Sequence, residues 1–211
     1  MSIAILVSYA LVMYLFSGEF ALVVRQFKSG GTESEFKESH NRGYMMFNLL
    51  AHIMGVLSLS VAFTKLFCVK MPESGLQFLP QWFLPMTCLA VGALVVAVMY
   101  YQRLLLKLSG LLTLGSEFVS SLLHRKSAHF TLASVIIAPV LLLYSGFRRG
   151  WDEVFLYVSV ILAIIFLFNF LYRTCTLFVG QKISILYWFL YLCIVELFPI
   201  SLVAAVLMRI I

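Results

Sequence analysis

The chain has 211 residues, of which 63% are hydrophobic and only 11% are charged, and its mean hydropathy is +1.03. A water-soluble domain needs roughly 25% charged residues to cover its surface, so the composition excludes a soluble globular protein and predicts an all-α membrane helix bundle. The net charge of +6 indicates membrane lipids as a partner and not nucleic acid, because basic residues in such proteins set topology and contact anionic headgroups.

Six apolar segments are predicted to cross the bilayer as helices, and with their short loops they form a single integral membrane domain over residues 1–211. About 20 apolar residues are enough for one crossing. No basic residue precedes the first segment and no small-residue cleavage site follows it, so a cleaved signal peptide is not expected. The predicted spans cover residues 3–24, 44–63, 83–101, 127–145, 153–172 and 184–208.

Polar residues and a proline interrupt several of these spans. Glu19 breaks the first span near its end, and His52 lies within the second. His129 opens the fourth span. Pro139 is expected to kink that span or to end it early, because proline has no N–H and clashes with the preceding turn.

Residues 103–124 are predicted to form an amphipathic helix in the membrane interface. At about 100° per residue, leucines and aromatic residues fall on one side of this segment, with charged and hydroxyl side chains on the other. This pattern suits a helix lying in the interface plane better than another crossing. Gly110 and Gly115 are expected to bend or break it.

The last span contains the segment Tyr191-Leu-Cys-Ile-Val-Glu196-Leu-Phe-Pro199. A carboxyl group is costly in hydrocarbon, so Glu196 is expected to face protein or trapped water and not lipid. Pro199 leaves the carbonyl of Val195 without its helical donor and is expected to kink the axis beside the acid. An acid and a kink at the same depth predict a site of packing or of function.

The distribution of lysine and arginine predicts the orientation. If the six spans are correct, ten basic residues lie in the first, third and fifth loops and five lie on the opposite side. Because cytoplasmic loops carry the excess of basic residues, the odd-numbered loops are expected in the cytoplasm. Both termini are then expected on the periplasmic side of a bacterial inner membrane.

Ionisable and amide groups at similar depth predict an intramembrane polar cluster. Such groups usually pair with one another, and we expect Glu196 or Glu19 to pair with Arg173 or His52. One interpretation is a polar clamp that fixes the register of the helices. The other is a proton or ion path, since an acid and a histidine at one depth can relay protons. The cluster comprises Glu19, His52, His129, Asn169, Arg173 and Glu196.

No cofactor, metal site or catalytic set is predicted. His52 and His129 lie on different spans and could ligate a haem, but both are off-centre and no second pair exists. His124 and His129 are about 140° apart around a helix, which is poor geometry for sharing a metal. The four cysteines have no metal-site spacing, and no nucleophile elbow or P-loop lysine is present. The protein is therefore expected not to be an enzyme.

The carboxyl-terminal half resembles a known family. Phe189-Leu-Tyr-Leu-Cys-Ile-Val-Glu196-Leu-Phe-Pro199 is similar to the closing Leu-Tyr-Leu-Cys-x-x-Glu-Ile-x-Pro signature of an uncharacterised family of Bacteroidota integral membrane proteins. The similarity extends over residues 110–211. It implies an inner-membrane location and singles out Glu196 and Pro199, and it implies no reaction. The other residues that carry it are Glu117, Phe118, His129, Pro139 and Arg173.

Two functions follow as hypotheses. The first is a non-enzymatic subunit or scaffold of a cell-envelope complex, with protein secretion or export as one such setting and other membrane proteins as partners. The short loops of the chain and the lack of a predicted soluble domain favour this first function. The second is a small proton- or ion-coupled transporter that uses Glu19, His52 and Glu196.

Overall fold

The computed structural model describes residues 2–29, 42–70, 82–109, 116–147, 150–181, 184–199, 201–202 and 205. Within these ranges the regular elements are helices, which confirms the predicted all-α fold. The elements are α1 (Ser2–Leu15), α2 (Ser17–Ser29), α3 (Arg42–Lys70), α4 (Phe83–Ser109), α5 (Ser116–Gly146), α6 (Trp151–Gly180), α7 (Ile185–Tyr191) and a π-helix (Leu192–Leu197).

Four helices of the described chain, α3 to α6, are long and apolar enough to cross a membrane. They contain the second to fifth predicted spans. The first predicted span is divided into α1 and α2, whose axes differ by 78°, and it makes a fifth crossing if the bent pair is counted as one. The sixth predicted span contains the helix Ile185–Leu197, whose length is below that of a full membrane crossing. Much of residues 200–208 lies outside the described residues, so the sixth crossing stays a prediction.

The amphipathic segment 103–124 belongs to two long helices in the structure. Its first part continues α4 as far as Ser109, and its last part begins α5 at Ser116; residues 110–115 lie outside the described residues. The boundaries predicted for a separate interfacial helix are therefore wrong for the described part. The physical reason is that Phe118, Val119 and Leu122 of the predicted apolar side are buried in a protein core. Leu104 and Leu108 of the same side are exposed, so the apolar side packs on protein in α5 only.

The chain folds as two compact units. Unit 1 comprises residues 1–62 and 124–166, and unit 2 comprises residues 63–123 and 167–211. The core of unit 1 is built on Val23 and Phe47, which are fully buried. The core of unit 2 joins α4, α5, α6 and α7 through a cluster that includes the fully buried Leu106 and Phe178.

In unit 1, α3 and α5 run parallel in constant register. Asn48 donates a hydrogen bond of 2.9 Å to Ser127, a residue 79 positions later in the chain. The same offset relates Gly55 to Ser134, which are in close contact, and Ala62 to Leu141, which share a core cluster. Because Gly55 has no side chain, the two backbones can approach closely, as small residues allow in membrane helix pairs.

Pro139 does not end α5, which continues to Gly146. Proline cannot donate a hydrogen bond to the carbonyl four residues earlier, which is that of Val135. In unit 1 the hydroxyl of Tyr9 on α1 donates to this carbonyl oxygen. Pro139 therefore leaves the carbonyl of Val135 without a donor from α5, and the hydroxyl of Tyr9 on α1 supplies one.

Candidate functional site

The final helical segment changes from α to π geometry at Leu192, upstream of Pro199. Helix α7 begins after Ser184, whose hydroxyl accepts the N–H of Leu186 at 3.4 Å. From Leu192 to Leu197 the segment is a π-helix, and the N–H of Phe198 bonds to the carbonyl of Cys193, five residues earlier. A π-helical turn inserts one extra residue into the helix. It thereby accommodates a proline that cannot complete the ordinary hydrogen-bond ladder.

The π-helix brings Glu196 next to Tyr191. In an α-helix, residues five apart lie on different faces, because each residue turns about 100°. In a π-helix, hydrogen bonds link residues five apart, so these residues lie above one another. The hydroxyl of Tyr191 accordingly donates a hydrogen bond of 2.7 Å to Oε1 of Glu196.

The second oxygen of this carboxylate is held by another helix. Gln102 of α4 is buried, and its Nε2 donates a hydrogen bond of 3.3 Å to Oε2 of Glu196. Each carboxylate oxygen thus accepts a hydrogen bond from a side chain of unit 2. The side chain lies at the edge of the apolar core of unit 2, to which Tyr191 and Val195 belong. The three side chains Gln102, Tyr191 and Glu196 are called the carboxylate site below.

Asn169 and Arg173 are partly buried on α6 in unit 2. The Oδ1 atom of Asn169 is buried and makes no hydrogen bond to the described residues. The same holds for Nε1 of Trp188 on α7. The pairing of Arg173 with Glu196 stays a prediction, whereas the contacts of Glu196 with Gln102 and Tyr191 are present in the structure.

In unit 1, His52 takes part in a polar group that joins α3 to α5. Thr131 is fully buried. Its hydroxyl has one proton to donate, and two acceptors lie within hydrogen-bond distance of it, Oδ1 of Asn48 and the carbonyl oxygen of Ser127. Nδ1 of His52 lies 2.7 Å from the carbonyl oxygen of Asn48 and 3.5 Å from the Thr131 hydroxyl. Because a carbonyl can only accept, Nδ1 of His52 carries the proton in this bond. The ring packs against Phe130 with centroids 4.8 Å apart.

His129 and Glu19 occupy other places in unit 1. The buried ring of His129 lies between two aromatic rings, with centroid distances of 5.3 Å to Phe27 and 5.6 Å to Phe166. Glu19 is in the first turn of α2. Its Oε1 lies against Gly43, where an added Cβ would be only 2.7 Å away. A carboxylate at the start of a helix is favoured by the helix dipole.

The predicted polar cluster is thus divided, with Glu19, His52 and His129 in unit 1 and the other three residues in unit 2. Sequence reasoning missed the part played by Tyr191, although its spacing from Glu196 and the following proline were a signal for π geometry. Over the described ranges, no group of three or more His, Cys, Asp or Glu side chains is placed to hold a metal ion.

Comparison with known proteins gives a family. Neither the curated proteins nor the solved structures contain a match to this chain. The family DUF4271, described as a domain of unknown function, matches residues 1–207. The match covers both units, including the carboxylate site. The chain therefore belongs to the DUF4271 family of domains of unknown function.

Proposed function

We propose that the protein is a non-enzymatic integral subunit or scaffold of a cell-envelope complex in the inner membrane of Bacteroidota, with both termini in the periplasm. Protein secretion or export is the setting that we favour. The observation that carries the proposal is that polar side chains hold helices together within each unit. Gln102 joins α4 to the final helix, and Asn48 joins α3 to α5.

The surface of the long helices also supports a role as a structural subunit. In the most apolar stretch of α4 no residue is buried, and in that of α6 only 6% of the residues are. Such faces contact lipid or the helices of partner proteins. A subunit that contributes membrane helices to a larger assembly would use them in this way.

A transporter coupled to protons or ions is the second candidate. The observation that favours it is the π-helix at Glu196, because π-helical turns are frequent at functional sites and acids inside membranes often mark proton or ion pathways. This function would use Glu19, His52 and Glu196.

An exchange of the Gln102 and Glu196 side chains of the carboxylate site separates these functions. Gln102→Glu alone places two carboxylates together and is expected to disrupt the final helix, whereas Glu196→Gln alone leaves two amides that can still form a hydrogen bond. The double variant Gln102→Glu/Glu196→Gln restores one amide and one carboxylate. For a scaffold we expect the double variant to co-purify with its partners at close to wild-type yield, while Gln102→Glu loses most of them.

The measurement is native purification in mild detergent followed by mass spectrometry. A stable larger assembly at native abundance supports the scaffold. A lone monomer or homodimer, together with ion-dependent flux in vesicles that Glu196→Gln abolishes without loss of folded protein, would support the transporter and contradict the scaffold.

A further inference from the structure

We propose that one end of unit 1 binds the phosphate groups of anionic lipids, through a basic ledge formed by Arg25, Arg42, Arg125 and Lys126. In this arrangement α2 lies along the membrane surface and does not continue the crossing begun by α1. Three sets of contacts place these residues at the same end of the unit.

The parallel register of α3 and α5 sets the height of three of the cations. Since residues of α5 align with residues 79 positions earlier in α3, Arg125 and Lys126 lie level with residues 46 and 47. Arg42 is the first residue of α3. With a rise of about 1.5 Å per residue, the three cations fall within ~8 Å of one another along the helix axes. Arg42 is exposed, and Arg125 and Lys126 are partly exposed.

The contacts of α2 place this helix at the same end. Its first turn reaches the start of α3, where Glu19 lies against Gly43. Towards its last turn, Phe27 packs against His129 of α5 and Phe166 of α6, with ring centroids 5.3 and 6.4 Å apart. Both ends of α2 therefore lie near the end of the unit that carries the basic ledge.

The direction of α2 and the polarity of its sides fit a helix in the membrane plane. Its axis makes an angle of 78° with that of α1, so it runs nearly at right angles to a crossing. Val23 is fully buried and Phe20 packs on the same core, whereas Ala21, Val24 and Arg25 are exposed. The outer side of α2 is thus of mixed polarity with one exposed cation, and amphipathic helices that carry basic residues bind at the headgroup level of anionic membranes. Glu19 offsets one of the four positive charges.

The positively charged side chains of the basic ledge determine which class of lipid it should bind. Guanidinium groups form paired hydrogen bonds with phosphate oxygens. Both phosphatidylglycerol and phosphatidylcholine carry a phosphate, but only phosphatidylglycerol has a net negative charge. Each basic residue near an anionic surface contributes about a five-fold increase in affinity. The ledge should therefore prefer phosphatidylglycerol over phosphatidylcholine with the same acyl chains.

Native mass spectrometry of the full-length protein, titrated with each of these lipids in detergent, tests the proposal. We expect stronger binding of phosphatidylglycerol to the wild type. Lys126→Gln should weaken it about five-fold, whereas Lys126→Arg, which keeps the charge, should retain it. The matched control is Lys65→Gln, which removes one charge from the far end of α3 and should change little.

Equal affinity for the two lipids would overturn the proposal, as would a loss in Lys65→Gln as large as that in Lys126→Gln. Arg25→Gln and Arg42→Gln give a second measurement at exposed positions, where loss of a charge does not disturb the core. Each should also weaken the binding of phosphatidylglycerol about five-fold. Unchanged binding in both would likewise contradict the ledge.

Discussion

Gly55 marks a point where α3 and α5 leave no room for a side chain. A Cβ at this position would lie 2.4 Å from Oγ of Ser134 and 2.8 Å from its Cβ. We therefore expect Gly55→Ala to destabilise the protein by about 1–3 kcal/mol through overpacking. Thermal unfolding in detergent, followed by size-exclusion chromatography, measures the loss.

A second substitution shows whether this contact is the cause. Ser134→Gly removes both crowded atoms and leaves only its Cα, at 3.7 Å from the added Cβ, so it should restore part of the stability of Gly55→Ala. The control is Gly18→Ala in the same unit, where an added Cβ meets no atom within 4 Å other than the backbone of its own helix and its chain neighbours. If Gly55→Ala and Gly18→Ala unfold at the same temperature, the close packing of α3 against α5 is contradicted.

The carboxylate site shows how much of a site can be predicted from single residues of the sequence. The cost of a carboxyl group in hydrocarbon predicts a polar neighbour for Glu196, and a departure from regular α-helical hydrogen bonding follows from Pro199. The neighbour itself does not follow, because Tyr191 reaches Glu196 only after the helix has changed to π geometry. A pattern read at 3.6 residues per turn puts these two side chains on different faces.

At the scale of elements, Pro139 links the packing of α1 to that of α5. The carbonyl of Val135 has no donor from its own helix and accepts the hydroxyl of Tyr9 instead. Tyr9→Phe should therefore cost about 1 kcal/mol, the usual size of a hydrogen bond between membrane helices. In a Pro139→Ala background, residue 139 supplies its own N–H to that carbonyl, and the loss caused by Tyr9→Phe should be smaller.

A double-mutant cycle measured by thermal unfolding in detergent tests this coupling, because it isolates the interaction between the two positions. Tyr14→Phe is the matched control, since Tyr14 is 84% exposed on the same helix and should show no dependence on residue 139. If Tyr9→Phe lowers the free energy of unfolding by the same amount in the wild type and in Pro139→Ala, the link between Tyr9 and Pro139 is contradicted.

The boundaries of an element can be predicted from the sequence where a single physical cause determines them. Long apolar runs predict the second to fifth spans because lipid is their solvent, and α3 to α6 contain them. The prediction for residues 103–124 fails because an apolar stripe can face a membrane surface or a protein core. Phe118 and Leu122 pack in the core of unit 2, and only the folded chain shows which surface is used.

The whole molecule combines this packing with an orientation predicted from charge. The parallel direction of α3 and α5 is consistent with one return crossing between them, since helices on either side of one crossing run the same way. Arg42 and Lys126, near the starts of these crossings, then lie on one side of the membrane. The excess of basic residues predicts that this side is the cytoplasm.

Labelling of introduced cysteines in the full-length protein tests that orientation. Lys107, near the end of α4, and Phe147, just after α5, are both exposed. In spheroplasts, a membrane-impermeant maleimide should label Phe147→Cys, whereas Lys107→Cys should react only after permeabilisation. The wild type, whose four cysteines are partly buried, gives the background. A reversed pattern would place the termini in the cytoplasm, and labelling of both positions from one side would show that α5 does not cross between them.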